Sequence, residues 1–226
     1  MLFLDLDGTV LDVRRRHYAA YVSVCEMRDV KGIPIPEAEY WHWRREAKPV
    51  ADIIAASKVF PTKRRLYQAR FDERLEVPEL LLLDTLKTGV ETFLGKVYTK
   101  TPICLVTLRR DKEALESQLA SMGLSRYFAS VLAGVPPTPR RPEKGLRGRH
   151  KAQLIRDRYR LLPTEALYIG DTETDVEAAK DLGFDVFLVE GGHRQRSLQI
   201  KANPDRLVAD LPAALKYMLT GGRWMR

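Results

Sequence analysis

Met1-Leu2-Phe3-Leu4-Asp5-Leu6-Asp7-Gly8-Thr9 is the stretch on which the fold turns. The apolar run Met1 to Leu4 reads as a buried strand, and it stops at a segment that cannot continue it. Two carboxylates are therefore delivered at the end of a strand. Alternation throws Asp5 and Asp7 toward the same side, and Gly8 permits a close or strained turn beyond them. Carboxylates this close repel one another unless a cation or a shared proton intervenes. A hard cation that takes oxygen ligands and keeps several waters, Mg²⁺, resolves the conflict.

Outward from this stretch the pattern changes to helices for about seventy residues. One helix is expected over 14–29, with Tyr18, Tyr21, Val22 and Cys25 at helical spacing. Ile33-Pro34-Ile35-Pro36 interrupts the chain, and Pro36-Glu37 resembles a new helix start. Further helical pieces are expected over 49–58 and 62–75. With no clear strand, this block cannot belong to a sheet, and 84–89 brings the chain back. A helix near 85–97 then leads to a second buried strand, 101–107, ended by Thr107. Asp111 and Glu113 favour a helix running to Met122, with Gly123 as its C-cap. A strand over 128–132 follows. Pro136, Pro137, Pro139 and Pro142 break regular structure before a helix that begins near His150 or Lys151. The strand 166–169 runs into Gly170-Asp171-Thr172-Glu173-Thr174-Asp175. A helix ending at Gly183, strands over 186–189 and 206–208, and a terminal helix over 212–219 complete the chain.

Strands alternating with helices predict an α/β fold, a mostly parallel Rossmann-like sheet covered on both faces. Ligands of such sheets lie beyond the carboxyl ends of the strands, near a switch in strand order. Asp5, Thr107 and Asp171 all fall at strand ends.

Four features in order, DLDGT at 5–9, a hydrophobic strand ending in Thr107, a lysine before the fourth strand, and GDTETD at 170–175, resemble the haloacid dehalogenase-like hydrolases. The resemblance covers essentially the whole chain, the helical block being its least specific part. It implies a core domain of residues 1–11 and 85–226 and an inserted helical cap of 12–84. The implied reaction is Mg²⁺-dependent hydrolysis of a small-molecule phosphate monoester. Asp5 serves as nucleophile and forms an aspartyl-phosphate, which splits one difficult transfer into two steps. Asp7 serves as acid and then base, with its backbone carbonyl on the metal. Asp171 binds the metal and Asp175 binds it or orients its waters. Thr107 donates to the transferred phosphoryl group, assisted by the backbone N–H groups of Gly8 and Leu108. Lys151 holds the phosphoryl oxygen and the nucleophile, with Lys144 as the alternative. Arg109 or Arg110 is a candidate contact for a substrate anion. The leaving group is expected to meet the cap.

Other signals leave alternatives open. His17 is offset from Asp5 like a histidine of the sugar phosphomutases in this family, but with no second cap signature of those mutases it reads first as a packing or surface residue. Trp41 and Trp43 read as packing residues of the helical block. Gly191-Gly192 makes room for a ligand or turns the chain. No complete GxGxxG or GxxxxGK[ST] fingerprint is present, which disfavours a nucleotide site of those kinds. A phosphomutase, a nucleic-acid end phosphatase and a non-catalytic binding module remain the competing functions.

The 226 residues suffice for one substantial core and a smaller accessory unit. The net charge of +8 favours an anionic partner, and Arg140, Arg141, Lys144, Arg147, Arg149, Lys151, Arg156, Arg158 and Arg160 concentrate it, opposed there by Glu143 and Asp157. Nucleic acid is a possible partner, but no aromatic platform, zinc finger or helix-turn-helix accompanies the cluster. A solvated basic face and an electrostatic funnel toward the site are the other readings. No apolar stretch reaches membrane-spanning length, and no basic and apolar leader precedes the first strand. Cys25 and Cys104 stand far apart, which excludes a CxxC site and fits a reducing cytoplasm, with Cys104 expected as a small buried hydrophobe. The sequence does not set the oligomeric state.

Overall fold

The structure, a computed structural model, describes residues 1–134 and 144–221. The proline-rich break at 136–142, with Arg140, Arg141 and Glu143, lies outside the described residues, as does the side chain of Lys144. The chain divides into two compact units, one of Met1–Asp12 with the described residues from Leu86 onward, the other of Val13–Thr85.

The first unit opens with β1 (Leu2–Leu4), and β2 (Leu11–Asp12) marks where the chain leaves it. The second unit carries α1 (Arg14–Cys25), α2 (Glu37–Arg45), α3 (Val50–Ala56), α4 (Arg64–Arg74) and α5 (Pro78–Leu81). The chain returns through β3 (Thr85–Leu86). There follow α6 (Val90–Val97), β4 (Ile103–Thr107), α7 (Lys112–Ser121), β5 (Ser130–Ala133), α8 (Arg147–Arg158) and β6 (Leu167–Gly170). The chain continues with α9 (Glu173–Leu182), β7 (Asp185–Val189), α10 (Arg196–Ala202), β8 (Arg206–Val208) and α11 (Leu211–Gly221).

Among the described residues, six strands form one sheet in the order β5-β4-β1-β6-β7-β8, and every pairing is parallel. The chain builds outward from β1 to β5 and then returns to build β6 to β8 on the other side. The order therefore reverses between β1 and β6, the place at whose carboxyl edge such sheets bind ligands. In register, Leu4 lies opposite both Leu105 and Ile169, which brings the residues after these three strands to a common edge. Leu2, Phe3 and Leu4 are all buried although neighbours face opposite sides, so the sheet is covered on both faces. Phe3 packs with Cys104, Tyr168, Val186 and residues of α8 and α9, its ring stacked 5.1 Å from Phe184. Cys104 is a buried free thiol that accepts from the Ser130 hydroxyl at 3.1 Å.

The helical unit has a separate core in which Tyr21, Tyr40, Ile53, Ile54, Tyr67 and Phe71 meet. The Tyr21 and Tyr40 rings stack at 4.3 Å. The Tyr21 hydroxyl accepts from the Ile35 amide at 2.7 Å and pairs with Ser57 Oγ at 2.6 Å, which ties the proline-rich turn to the end of α3. Trp41 meets His17 edge to face, and Trp43 lies under the Lys48 ammonium at 3.9 Å. Arg16, fully buried, pairs with Asp84 at 3.0 Å and donates to the Leu75 carbonyl at 3.0 Å.

Several boundaries differ from the sequence expectation. The first helix ends at Cys25, where the i→i−4 ladder stops: the Met27 amide bonds the Val24 carbonyl at 3.2 Å, and the chain then turns through Lys31 at φ 58°. The helix expected from residue 85 begins at Val90: Gly89, at φ 78°, takes a left-handed turn that a helix interior does not accept. The residues before it form β3 instead. Helix α8 starts a turn earlier than expected, at Arg147. Among the described residues, no helix is long and apolar enough to cross a membrane.

Candidate active site

Strand β1 ends at Leu4, although the Asp5 amide still bonds the Ile169 carbonyl at 2.9 Å. The amides of Val10 and Leu11 then converge on the Leu6 carbonyl, and Gly8, at φ 87°, closes the turn by donating to the Leu11 carbonyl at 2.8 Å. The strand alternation expected for Asp5 and Asp7 thus stops before it reaches them, and the two carboxylates take different partners. Asp5 accepts from the Lys151 ammonium. Asp7 accepts a bidentate pair from Arg109, Nε at 2.8 Å and Nη2 at 2.7 Å.

Lys151 lies one turn into α8, wholly enclosed, and donates to Asp175 at 2.6 Å as well as to Asp5. Asp175 is the third residue of α9 and completes a capping box with Thr172. Its second oxygen accepts from the Asp171 and Thr172 amides at 3.2 and 3.0 Å and from the Thr172 hydroxyl at 2.9 Å. This carboxylate crosses the backbone so closely that a Cβ at residue 170 would collide with it, which explains Gly170. Burial works against charge on all three groups. Lys151 is nonetheless held well above the ordinary lysine range by Asp175 and Asp5, and Asp175 below the carboxylate range by Lys151 and Thr172. Asp5 ends on the other side: burial, aided by the charges of Asp175 and Asp171, pushes it well above that range despite Lys151.

Oxygens of Asp5, Asp171 and Asp175 lie within 4.8 Å of one another, and all three residues are buried. Three enclosed carboxylates, two of them sharing one lysine, suit a hard divalent cation by donor type and by charge. The residues present therefore fit the metal that the sequence anticipates.

Thr107 closes β4 at the same sheet edge and is buried, its hydroxyl oxygen 3.4 Å from the Arg109 amide. Leu108 is the first residue beyond that strand. Three contacts were not visible in the sequence. His193 meets Asp171 twice, through its amide and through Nδ1 at 3.1 Å. Gln199 donates to the Asp171 and Val189 carbonyls at 2.9 and 2.8 Å. Lys87 donates to the Gly8 and Glu190 carbonyls, both at 2.9 Å. Of the glycine pair, Gly191 turns the chain at φ 78°, as one of the two readings expected, while the room made at Gly192 is for the Asp171 carboxylate, which a Cβ there, like one on Gly8, would strike.

A model of the haloacid dehalogenase-like hydrolases matches residues 2–189, from β1 to the end of β7. The chain belongs to this family. Among curated relatives of this hydrolase, the phosphoglycolate phosphatase of Synechococcus elongatus is 27% identical over 97% of this chain and 96% of its own. That of Rhodobacter capsulatus is 30% identical over 87% of each. A haloacid dehalogenase-like family protein from Streptococcus pneumoniae shares the fold at TM-score 0.74 and 19% identity, covering 96% of this chain and 97% of its own.

Proposed function

We propose that this haloacid dehalogenase-like hydrolase is a Mg²⁺-dependent phosphatase acting on a small-molecule phosphate monoester. The observation that carries the proposal is the enclosed Asp5 carboxylate beside Lys151, with the Asp171 and Asp175 oxygens within 4.8 Å. An ion-free set of three buried carboxylates would be a poor structural element, whereas a set that takes a cation and a phosphoryl group is chemically complete. We assign residues 1–11 and 85–226 as the catalytic core domain and 12–84 as its inserted cap domain.

In this reading Asp5 attacks phosphorus, the ester P–O bond breaks, and the leaving oxygen takes a proton from Asp7. Water then attacks the aspartyl-phosphate and gives its proton to Asp7, which regenerates Asp5 and releases phosphate. Arg109 orients the Asp7 carboxylate through its two bonds. Lys151 holds Asp5 in place and faces the transferred oxygens, and Thr107 with the Leu108 amide receives them; the Gly8 amide, expected to assist, is taken by the Leu11 carbonyl at 2.8 Å. Mg²⁺ held by Asp5, Asp171, the Asp7 carbonyl and, directly or through water, Asp175 would neutralise phosphoryl charge and offset the repulsion between two anions. The two phosphoglycolate phosphatases support a small, acidic phosphate ester as the first substrate to try. Buried free thiols support a reducing, cytoplasmic setting.

The test is phosphate release by metal-free and Mg²⁺-supplemented protein from phosphoglycolate, sugar phosphates, nucleotides and phosphorylated DNA ends. Mg²⁺-dependent release from a small ester that Asp5→Asn abolishes is the expected result. Release unchanged in Asp5→Asn, or confined to DNA ends, overturns it.

A further inference from the structure

The connection that re-enters the sheet unit carries a lysine with no counterpart among the family motifs. Lys87 is half-buried, and its ammonium bridges two backbone carbonyls, Gly8 and Glu190, that are 79 and 103 residues away in sequence. Its own amide donates to the Val10 carbonyl at 3.0 Å, so backbone and side chain grip the same turn from two directions.

The two loops it joins are those that build the site. One is the turn that presents Asp5, Asp7 and Gly8. The other, after β7, runs through Gly191 and Gly192 to His193, which holds Asp171. The loops meet without side-chain padding: Cβ atoms on Gly8 and Gly192 would both strike the Asp171 carboxylate, and one on Gly192 would stand 2.7 Å from the Gly8 carbonyl. Glycine loops at φ 87° and 78° are entropically costly to fix, and the Gly8 and Glu190 carbonyl oxygens, each 2.9 Å from the same ammonium, would repel one another without it. A tethered ammonium answers both, because it is a compact point charge with three donors and can serve two acceptors at once.

We propose that Lys87 is a positioning residue whose ammonium staples the Asp5–Gly8 turn to the Glu190–His193 loop and so sets the spacing between Asp5 and Asp171. The inference rests on the phosphatase reading for its catalytic consequence, but its structural content stands apart from it.

Two measurements test it. In Lys87→Met the backbone bond to Val10 remains, so only the ammonium is lost. Amide exchange in peptides covering 2–11 and 186–195 should quicken on the order of ten-fold or more while the helical unit is unchanged. On the best substrate, kcat should fall about 10- to 100-fold with KM within about three-fold, the mark of misplaced reacting groups. Lys87→Cys treated with bromoethylamine restores an ammonium at nearly the same reach, and treated with bromopropane gives a neutral chain of similar length. Cys25 and Cys104 stay out of this chemistry because both are buried and burial raises both thiols. The aminoethylated protein should recover most of kcat and the propylated one should not. Should the thiol variant not fold, Lys87→Arg and Lys87→Met make the same comparison of charge kept and charge removed. Unchanged exchange in Lys87→Met, or equal kcat with and without the charge, overturns the proposal. If the wild type releases phosphate from no ester, the phosphatase reading fails and the exchange measurement alone decides Lys87.

Discussion

Each compact unit of this protein buries charge, and the two do it differently. In the helical unit, Arg16 and Asp84 meet as an enclosed pair at 3.0 Å, with the guanidinium also bonded to the Leu75 carbonyl. At the sheet edge, Asp5 and Asp175 share a single lysine, Asp171 brings a third carboxylate within 4.8 Å, and burial pushes the Asp5 carboxyl up. The first arrangement is matched and holds a fold together. The second sets three carboxylates against one lysine, a balance that folding alone gives no reason to assemble and that suits a divalent cation.

The sharpest way to break the comparison is to remove one carboxylate from each unit. Asp5→Asn should cut turnover on the order of 10⁴-fold or more, since the attacking oxygen is gone. The same variant should melt at or above the wild-type temperature, because Lys151 keeps Asp175 and a poorly solvated carboxylate is replaced by an amide. Asp84→Ala should do the reverse. It leaves Arg16 enclosed without its carboxylate, and urea unfolding should show a loss of about 3–5 kcal/mol. A destabilised Asp5→Asn together with an unaffected Asp84→Ala would show that the roles of the two regions had been exchanged.

A milder perturbation supplies a divalent cation. Mg²⁺ at 100 times its dissociation constant should stabilise the wild type by about 2.7 kcal/mol, read as a rise in melting temperature that EDTA reverses. Asp171→Asn should lose most of this rise, and Asp84→Ala should keep it. Equal Mg²⁺ effects in wild type and Asp171→Asn would remove the metal from the sheet edge.

How legible each region was follows from where its partners lie in the chain. Asp5, Thr107, Lys151, Asp171 and Asp175 stand at strand ends or helix starts, and an apolar run that halts at a polar residue is a local signal. Gly8 and the Gly191-Gly192 pair could also be read in advance as special, although only the structure shows that Gly8 and Gly192 clear Asp171, and nothing marked Gly170, which clears Asp175. Lys87, His193 and Gln199 carry no such mark. Their partners are carbonyls or carboxylates 10 to 103 residues away, brought near by strand order rather than by spacing. The same holds for Arg109, which the sequence offered to a substrate anion and which the structure pairs with Asp7. In the helical unit the aromatic periodicity marked a packed interior, but the Arg16–Asp84 pair spans almost the whole insertion and had no pattern to betray it.

The smallest effect sharpens the comparison from the side of the helical unit, whose core is apolar enough to keep even a thiol neutral. Cys25 is buried beside Tyr21 and Ser57, and burial pushes its thiol up to about 11. In the unfolded chain the same thiol ionises near its ordinary value, about 8.5. Below that value both states hold the proton and the thiol leaves stability unchanged with pH. As pH rises past it, the unfolded chain releases a proton that the folded one keeps, so stability falls until the folded thiol ionises too. A difference of about 2.5 units corresponds to about 3.4 kcal/mol, an upper bound that falls where the core relaxes. Buried Tyr21 and Tyr67, whose phenols burial also raises, lose stability at still higher pH, so the thiol must be isolated by difference. Cys25→Ala should therefore lose less stability than the wild type between about pH 8.5 and 11, by up to about 2 kcal/mol in urea unfolding. Parallel pH profiles for the two proteins would mean that water reaches Cys25 and that the helical core is not closed around it.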